Sequence, residues 1–419
     1  MSFADWIRGK AAWGLSGHAA DHGAMGGALL NNSAKIDGKI RIAVGANVSG
    51  LHHPDLPVLS AAYDAMLAGS GDVIINFVGD STTRGAYANG SAFAANRKYA
   101  YPDIMAGLLA ERGIATSTSS FFGDAGMGNT NLESYDDRMT RGVWAAKVNR
   151  HVPGGVCMSC SGSVSPVFAF APGEDWDRVD IYTAAYPTSL YGTYSVLIDD
   201  AIPASGAVAK NTNAAHAVQK TTVSAASMGK HTLKIVGPAE SNEIHLLGFE
   251  FYCSARRRVR LRNLGYCGSR TDVWAQVLAE SGGPYAWSPK NAMSVLGGHL
   301  TVVNLGINDL TASVTVATYK SQLKTFVAAE KTRGADVIVT SMSPTGQANF
   351  GTTGLQYVTA AQEVAAETGS LFLDYAARWG GYAGALAAGY LAADGIHNTS
   401  LGYADRAMAE AGVIGTYFV

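Results

Sequence analysis

The chain is poor in charge. Only 15% of its 419 residues are charged, and the net charge at pH 7 is -2. So small a net charge offers no electrostatic attraction for nucleic acid, and a nucleic-acid partner is not expected. No apolar run reaches the roughly 18 to 20 residues that a membrane helix needs, so no membrane span is expected either. The first residues also lack the apolar stretch of a signal peptide, because Asp5 and Arg8 interrupt it.

Cysteine is scarce as well. The four cysteines are too few for a disulfide scaffold in a chain of this length. Cys157 and Cys160 have the spacing of half a zinc site or of a redox pair, but no second C-x-x-C and no H-x3-H accompanies them. We therefore expect a structural role for this pair, and no bound metal.

The most informative stretch of the sequence is residues 73–85, VIINFVGDSTTRG. Its apolar run is typical of a strand covered on both faces in a parallel sheet, and chemistry in such sheets collects beyond the carboxyl ends of the strands. Ser81 lies at that position, and residues 82–88 are expected to continue as a helix. The backbone N–H groups at a helix amino terminus would stabilise an oxyanion there. The alternative is that Ser81 only caps this helix.

The length of the chain favours two domains over one. Strands alternate with helices over residues 56–114 and again over 254–419, a pattern typical of a doubly wound α/β sheet. Residues 115–253 instead contain short β runs, which predict an inserted all-β sandwich reached through a loop-rich approach over 115–153. Residues 1–55 show little periodicity, and we interpret them as an amino-terminal arm or extension.

Arginines alternate with apolar residues over 258–262. Arg258, Arg260 and Arg262 would lie on one face of a strand. Such a face is costly in the middle of a covered sheet, so the pattern predicts a strand at the sheet edge with its arginines in solvent.

Four polar motifs stand in a fixed order: G-D-S at 79–81, N-x-G-x-x-G at 263–268, G-x-N-D at 306–309 and D-x-x-H at 394–397. The first three follow predicted strands, and the fourth precedes a predicted terminal helix. In this order and context the chain resembles the SGNH (GDSL-type) hydrolases. The resemblance covers residues 56–113 and 259–419, with the sandwich inserted between the first and second motifs. It implies a three-layer, doubly wound parallel sheet of flavodoxin-like order, with the second strand at an edge.

The resemblance also implies roles for five residues. Ser81 would be the nucleophile, His397 the general base and Asp394 the carboxylate that orients the imidazole. The Ser81 N–H, the Gly268 N–H and the Asn308 side chain would form the oxyanion hole. Elementary chemistry agrees, because a serine hydroxyl needs a base to become nucleophilic and neutral N–H donors stabilise the negative charge that develops.

Three further carboxylates stand near these motifs. Asp80 and Asp309 are expected to serve the hydrogen bonding of their loops. Asp374 ends a predicted strand and is the second candidate for orienting His397.

The insertion resembles a galactose-binding-type β-sandwich in its run of strands. Tyr186, Tyr191 and Tyr194 would then offer aromatic surface to a saccharide. The alternative is that these rings pack the sandwich or its junction with the α/β domain.

The residues and the resemblance together predict a serine esterase that acts without metal or cofactor and removes O-acetyl groups from a polysaccharide. A small-ester or lipid esterase or thioesterase is the alternative among enzymes. A catalytically silent glycan-binding or phage tail subunit is the alternative from another class. Without a signal peptide, an extracellular or virion-associated location (phage tail or prophage) is one expectation, and the glycan, the ester position and the oligomeric state stay open.

Overall fold

The computed structural model describes residues 56–90, 97–123, 128–147, 152–155, 157–161, 165–188, 191–238, 242–275, 279–280, 283–284, 287–347 and 350–418. The predicted arm, residues 1–55, lies outside these ranges. The helices are α1 Pro57–Leu67, α2 Ser81–Arg84, α3 Tyr101–Glu111, α4 Gly128–Tyr135, α5 Thr271–Ala275, α6 Pro289–Leu296, α7 Ile307–Thr311, α8 Val316–Thr332, α9 Leu355–Thr368, α10 Tyr375–Arg378, α11 Gly381–Ala387 and α12 Ser400–Gly415. The strands are β1 Val73–Gly79, β2 Thr116–Ser117, β3 Phe121–Phe122, β4 Met139–Thr140, β5 Ala145–Lys147, β6 Cys157–Ser161, β7 Val167–Phe170, β8 Trp176–Ala185, β9 Thr193–Ile198, β10 Ala209–Asn211, β11 Ala217–Gly229, β12 Leu233–Val236, β13 Glu243–Tyr252, β14 Val259–Asn263, β15 Ala279–Glu280, β16 Gly283–Pro284, β17 Leu300–Asn304, β18 Asp336–Thr340 and β19 Leu371–Leu373.

A parallel sheet with the strand order β19-β18-β17-β1-β14-β2 forms the centre of the α/β part. β1 lies between β14 and β17 and pairs with both in parallel. Apart from the two-residue strand β2, this is the flavodoxin-like order, and the predicted doubly wound sheet is confirmed. The chain reverses its winding direction at β1, so the end of β1 lies at the position where such sheets bind ligands.

Helices cover both faces of this sheet. On one face, α1, α3 and α12 pack against β1 through Ile75 and Phe77. On the other face, α5, α6, α8 and α9 pack against Val78 of β1 and Val303 of β17. This two-sided burial explains why the sequence of β1 is almost continuously apolar.

The segment between α3 and β14 forms two antiparallel sheets, β10-β9-β12-β7-β4 and β11-β8-β13-β6-β5, around an aromatic-rich core of their own. The approach over residues 115–153 is less loop-like than predicted. It supplies β4 and β5 to these sheets, and β3 pairs with β13. Strands of two or three residues are too short to show a two-residue periodicity, so no sequence pattern indicates them.

The arginine face of β14 is buried, and the prediction that it faces solvent is wrong. Arg258, Arg260 and Arg262 are only 8%, 1% and 0% exposed. Glu250 of β13 covers the last two: its Oε2 lies 2.5 Å from Arg262 Nε, and its Oε1 lies 3.2 Å from Arg260 Nη1. Arg258 Nη1 lies 2.6 Å from Glu174 Oε2. Asp72 Oδ2 accepts from Arg260 Nε at 2.8 Å. This strand face is therefore the surface on which the insertion packs.

The cysteine pair and two of the three tyrosines are buried. Cys157 and Cys160 lie in β6, and burial raises the pKa of Cys160 to about 12. The Tyr194 hydroxyl donates to Thr221 Oγ1 at 2.9 Å, and the Tyr191 hydroxyl lies 2.7 Å from His245 Nδ1. Tyr191 and Tyr194 therefore pack within the protein, which is the alternative to offering an aromatic surface to a saccharide.

Within the described ranges, no helix is long and apolar enough to cross a membrane. The same residues contain no group of three or more His, Cys, Asp or Glu side chains placed to hold a metal ion.

Candidate active site

Ser81 is the first residue of α2, directly beyond the end of β1. Asp80 precedes it and caps the helix, because its Oδ1 accepts from Thr82 N at 2.8 Å and from Thr82 Oγ1 at 2.7 Å. The helix is shorter than predicted: it ends after one turn at Gly85, whose φ is 97°. One turn cannot sum many peptide dipoles, so local N–H groups rather than a helix dipole must stabilise an oxyanion here.

Glycine at position 79 allows β17 to approach the Ser81 turn. A Cβ atom on Gly79 would collide with Thr83 Oγ1 and would lie 2.6 Å from the Asn304 carbonyl oxygen. Asn304, at the end of β17, donates through Nδ2 to Thr82 Oγ1 at 2.8 Å and to Thr83 Oγ1 at 2.9 Å. The two threonines after Ser81 therefore fix the turn to the sheet.

The structure brings together Ser81, His397 and Asp394. His397 Nε2 lies 2.8 Å from Ser81 Oγ, and His397 Nδ1 lies 2.6 Å from Asp394 Oδ2. Burial alone would raise the pKa of Asp394, but the hydrogen bonds from the His397 side chain and from the Ile396 and His397 N–H groups outweigh it and lower this pKa. An ionised Asp394 accepts a hydrogen bond from Nδ1–H and keeps the proton on Nδ1, which leaves Nε2 with a lone pair toward the serine hydroxyl.

A glycine turn and several hydrogen bonds fix the loop that carries His397. Gly395 has a φ of 68°, which reverses the chain so that both ends of D-x-x-H meet. The Gly346 N–H donates to the Gly395 carbonyl at 2.7 Å, and the Ala392 N–H donates to the His397 carbonyl at 2.8 Å. Asn398 Nδ2 donates to Ser343 Oγ at 3.2 Å on the other side of the histidine.

The N-x-G-x-x-G segment lies against the Ser81 turn. Asn263 donates through Nδ2 to the Thr83 carbonyl at 3.0 Å, and its Oδ1 accepts from Gly265 N at 3.0 Å. A Cβ atom on Gly265 would lie 2.6 Å from Arg84 N, so only glycine fits. Gly268 follows in an exposed, left-handed conformation with a φ of 77°. Among the described residues, no acceptor is found for the Ser81 or the Gly268 N–H.

The G-x-N-D segment begins α7, next to the same loop. Asn308 Nδ2 donates to the Ser269 carbonyl at 3.0 Å, and an amide nitrogen has a second N–H for another acceptor. Asp309 accepts from Thr271 Oγ1 at 2.6 Å, which is the loop-holding role expected for it. Burial raises the pKa of Asp309 to about 6.

Asp374 does not orient His397. It caps α10, where its Oδ1 accepts from Ala377 N at 2.9 Å. Asp394 occupies the position at His397 Nδ1 instead. The prediction that Asp394 orients His397, with Asp374 as the second candidate, agrees with this arrangement.

Tyr87 is a neighbour of the site that no sequence motif indicated. Its ring stacks on the imidazole of His397, with 5.0 Å between centroids and 24° between planes. Its φ is 63°, which is unusual for an aromatic residue.

A buried charged pair on α12 lies beneath the site. The Arg406 guanidinium lies between the rings of Tyr101 and Tyr375, 4.5 and 4.4 Å from their centroids. Glu410 Oε1 accepts from the Tyr375 hydroxyl at 2.9 Å and lies 3.8 Å from Arg406 Nη2. Burial raises the pKa of Glu410 from 4.5 to about 7.

We expect this pair to make stability depend on pH. Between pH 4.5 and about 7 the folded protein keeps a proton on Glu410 that the unfolded chain has lost, so stability falls as pH rises through this window. Glu410→Gln should remove this part of the pH dependence of the free energy of unfolding. Urea unfolding at pH 5 and pH 8 measures it, and identical pH dependence in both proteins would contradict the assignment.

A serine–histidine–aspartate contact such as the one at the carboxyl edge of this parallel sheet is an arrangement that serine hydrolases use. Residues 247–404 match the family model described as GDSL-like Lipase/Acylhydrolase family, which confirms the resemblance to the SGNH (GDSL-type) hydrolases. The matched residues include Asp394 and His397 but not Ser81, which the insertion separates from them in the sequence.

Several solved structures are similar to the chain, and the first of them supports the fold. A peptidoglycan O-acetylesterase is 14% identical with a TM-score of 0.63, and the alignment covers 86% of this chain and 97% of that chain. A family two carbohydrate esterase from Cellvibrio japonicus is 11% identical, with coverage of 68% and 96% and a TM-score of 0.29. An acetylxylan esterase from Geobacillus stearothermophilus is 21% identical, with coverage of 38% and 73% and a TM-score of 0.30. No curated protein sequence matches the chain.

Proposed function

We propose that this protein is a serine esterase that removes O-acetyl groups from a polysaccharide. Ser81 is the nucleophile, His397 the general base and Asp394 the residue that orients the imidazole. The observation that carries this proposal is the 2.8 Å contact between Ser81 Oγ and His397 Nε2, made by residues 316 positions apart. The 2.6 Å contact of Asp394 with His397 Nδ1 supports it, because it directs the free lone pair of Nε2 at the serine.

The reaction has two halves. Ser81 Oγ attacks the acetyl carbonyl carbon while its proton moves to His397 Nε2. The carbonyl oxygen becomes an oxyanion that accepts from the Ser81 N–H, the Gly268 N–H and the Asn308 amide. When the bond to the sugar oxygen breaks, His397 returns the proton to that oxygen. Water then attacks the acetyl-serine with the same base, and acetate and free Ser81 result.

Two observations favour a polysaccharide as the acetyl carrier. The structurally similar peptidoglycan O-acetylesterase aligns over 86% of this chain, which is more than the α/β part alone provides, so the likeness extends into the inserted sheets. The insertion also packs directly on β14, which leads into the Asn263 loop of the site. A β-sandwich in this position is suited to hold a long polymer next to Ser81.

The experiment is a panel of O-acetylated polymers, including peptidoglycan and xylan, with p-nitrophenyl esters of increasing acyl length as comparison. Released acetate is measured for the wild type and for Ser81→Ala. We expect acetate from at least one polymer, little turnover of long acyl chains, and no release by Ser81→Ala. Preference for long acyl esters would favour a lipid esterase instead. A wild type inactive on every ester would favour a glycan-binding subunit.

A further inference from the structure

Tyr87 lies against the imidazole that the proposed mechanism uses. The two rings are nearly parallel, 24° apart, and their centroids are separated by 5.0 Å. The edge atoms of the same imidazole contact Asp394 and Ser81. Asp394 and Ser81 therefore fix the imidazole in its plane, and Tyr87 covers one of its faces.

The backbone holds this ring in place against its own preference. Tyr87 has a φ of 63°, in the left-handed region that bulky side chains avoid. The turn around it is fixed by the Tyr403 hydroxyl, which donates to the Ala86 carbonyl at 2.8 Å, and by the Gly90 N–H, which donates to the Tyr87 carbonyl at 2.9 Å. Strained conformations that the surroundings enforce concentrate at functional sites.

We propose that Tyr87 is a positioning residue for His397, an inference that rests on the proposed function. The stacked ring keeps the imidazole from rotating away from Ser81 while the proton is transferred. The π face of the phenol also stabilises the positive charge that the imidazole acquires when it takes the serine proton. Both effects act in the transition state, so they raise kcat rather than substrate affinity.

Three substitutions separate this role from simple packing. Tyr87→Phe keeps the π face, Tyr87→Leu removes it, and Tyr87→Asn replaces the ring by a residue that accepts the left-handed conformation. Tyr63→Leu is the control, because the Tyr63 ring packs against Phe418 at 32°, with centroids 4.5 Å apart. Tyr63 lies on helix α1, which precedes the amino end of β1. The readouts are kcat and KM for p-nitrophenyl acetate, the rate at which a fluorophosphonate modifies Ser81, and the thermal unfolding midpoint.

We expect Tyr87→Leu and Tyr87→Asn to lower kcat and the modification rate roughly tenfold, with KM nearly unchanged, and Tyr87→Phe to stay within about twofold of the wild type. Tyr87→Asn should keep the unfolding midpoint because it relieves the backbone strain, whereas Tyr63→Leu should lower the midpoint and spare kcat. Wild-type kcat in Tyr87→Leu would overturn the inference. Equal loss in Tyr87→Phe and Tyr87→Leu would overturn it as well.

The modification rate separates this inference from the proposed function. If the wild type hydrolyses no acetyl ester but the fluorophosphonate still modifies Ser81, the proposed function fails and the rates of the Tyr87 variants still decide the role of the ring. If Ser81 is not modified at all, both fail.

Discussion

Replacing His397 by alanine is expected to lower kcat for acetyl esters by roughly ten-thousandfold or more while the protein stays folded. The serine then loses the base that faces it, because His397 Nε2 is the ring nitrogen 2.8 Å from Ser81 Oγ. The side chains of a serine–histidine–aspartate set act as a unit. The double variant with Ser81→Ala and His397→Ala should therefore have a kcat only slightly lower than that of His397→Ala alone. Initial rates with p-nitrophenyl acetate and circular dichroism of each variant measure the effect.

The chain offers a matched control for this substitution. His231 also places Nδ1 2.6 Å from an aspartate, Asp199, but its Nε2 faces the Ser227 carbonyl at 2.9 Å instead of a serine hydroxyl. His231→Ala should leave kcat unchanged. Loss of a general base leaves far less than a tenth of kcat. If His397→Ala keeps more than about a tenth of the wild-type kcat, His397 is not the base.

Replacing Glu250 by glutamine is expected to destabilise the protein by about 3 to 5 kcal/mol. The carboxylate is 1% exposed and faces Arg260 and Arg262, which are equally buried, so its loss leaves arginine charges in the interior with fewer partners. The substitution should weaken the packing between the insertion and the α/β part. Urea unfolding at 25 °C, followed by both tryptophan fluorescence and activity, measures it.

An exposed ion pair provides the control for Glu250. Glu363 is 51% exposed and lies 2.7 Å from Lys320 Nζ on the surface of α8 and α9. Glu363→Gln should change the free energy of unfolding by less than about 1 kcal/mol. A similarly small effect of Glu250→Gln would show that the arginine face is not held by this carboxylate.

Elements with long periodic patterns were predictable from the sequence, and short ones were not. The apolar run that begins residues 73–85 predicts a strand, and β1 is that strand, because both of its faces are buried. The arginine face of β14 was misread because its partner, Glu250, lies in the insertion. Local sequence reports the pattern of charge but not which segment covers it, and a buried, paired arginine has the same pattern as a solvated one.

In the candidate site, too, some residues were predictable from the sequence and others were not. Among the residues that the motifs carry, Ser81, Gly268 and Asn308 follow the parallel strands β1, β14 and β17, whereas the D-x-x-H motif lies between α11 and α12. Motifs did not indicate Asn304, which holds the two threonines, because its role depends on β17 lying beside β1. They did not indicate Tyr87 either, because its contact with His397 depends on a strained turn and on the end of the chain returning to it.

The most direct test of Ser81 as the nucleophile is to trap the acetyl-enzyme. The wild type is mixed with an activated acetyl ester, quenched in acid within milliseconds, digested and analysed by mass spectrometry. We expect an acetyl group on the peptide that contains Ser81 and none on that peptide in Ser81→Ala. In His397→Ala the acetyl-enzyme should form very slowly. An acetyl group on another residue during turnover, or turnover by Ser81→Ala at the wild-type rate, would contradict it.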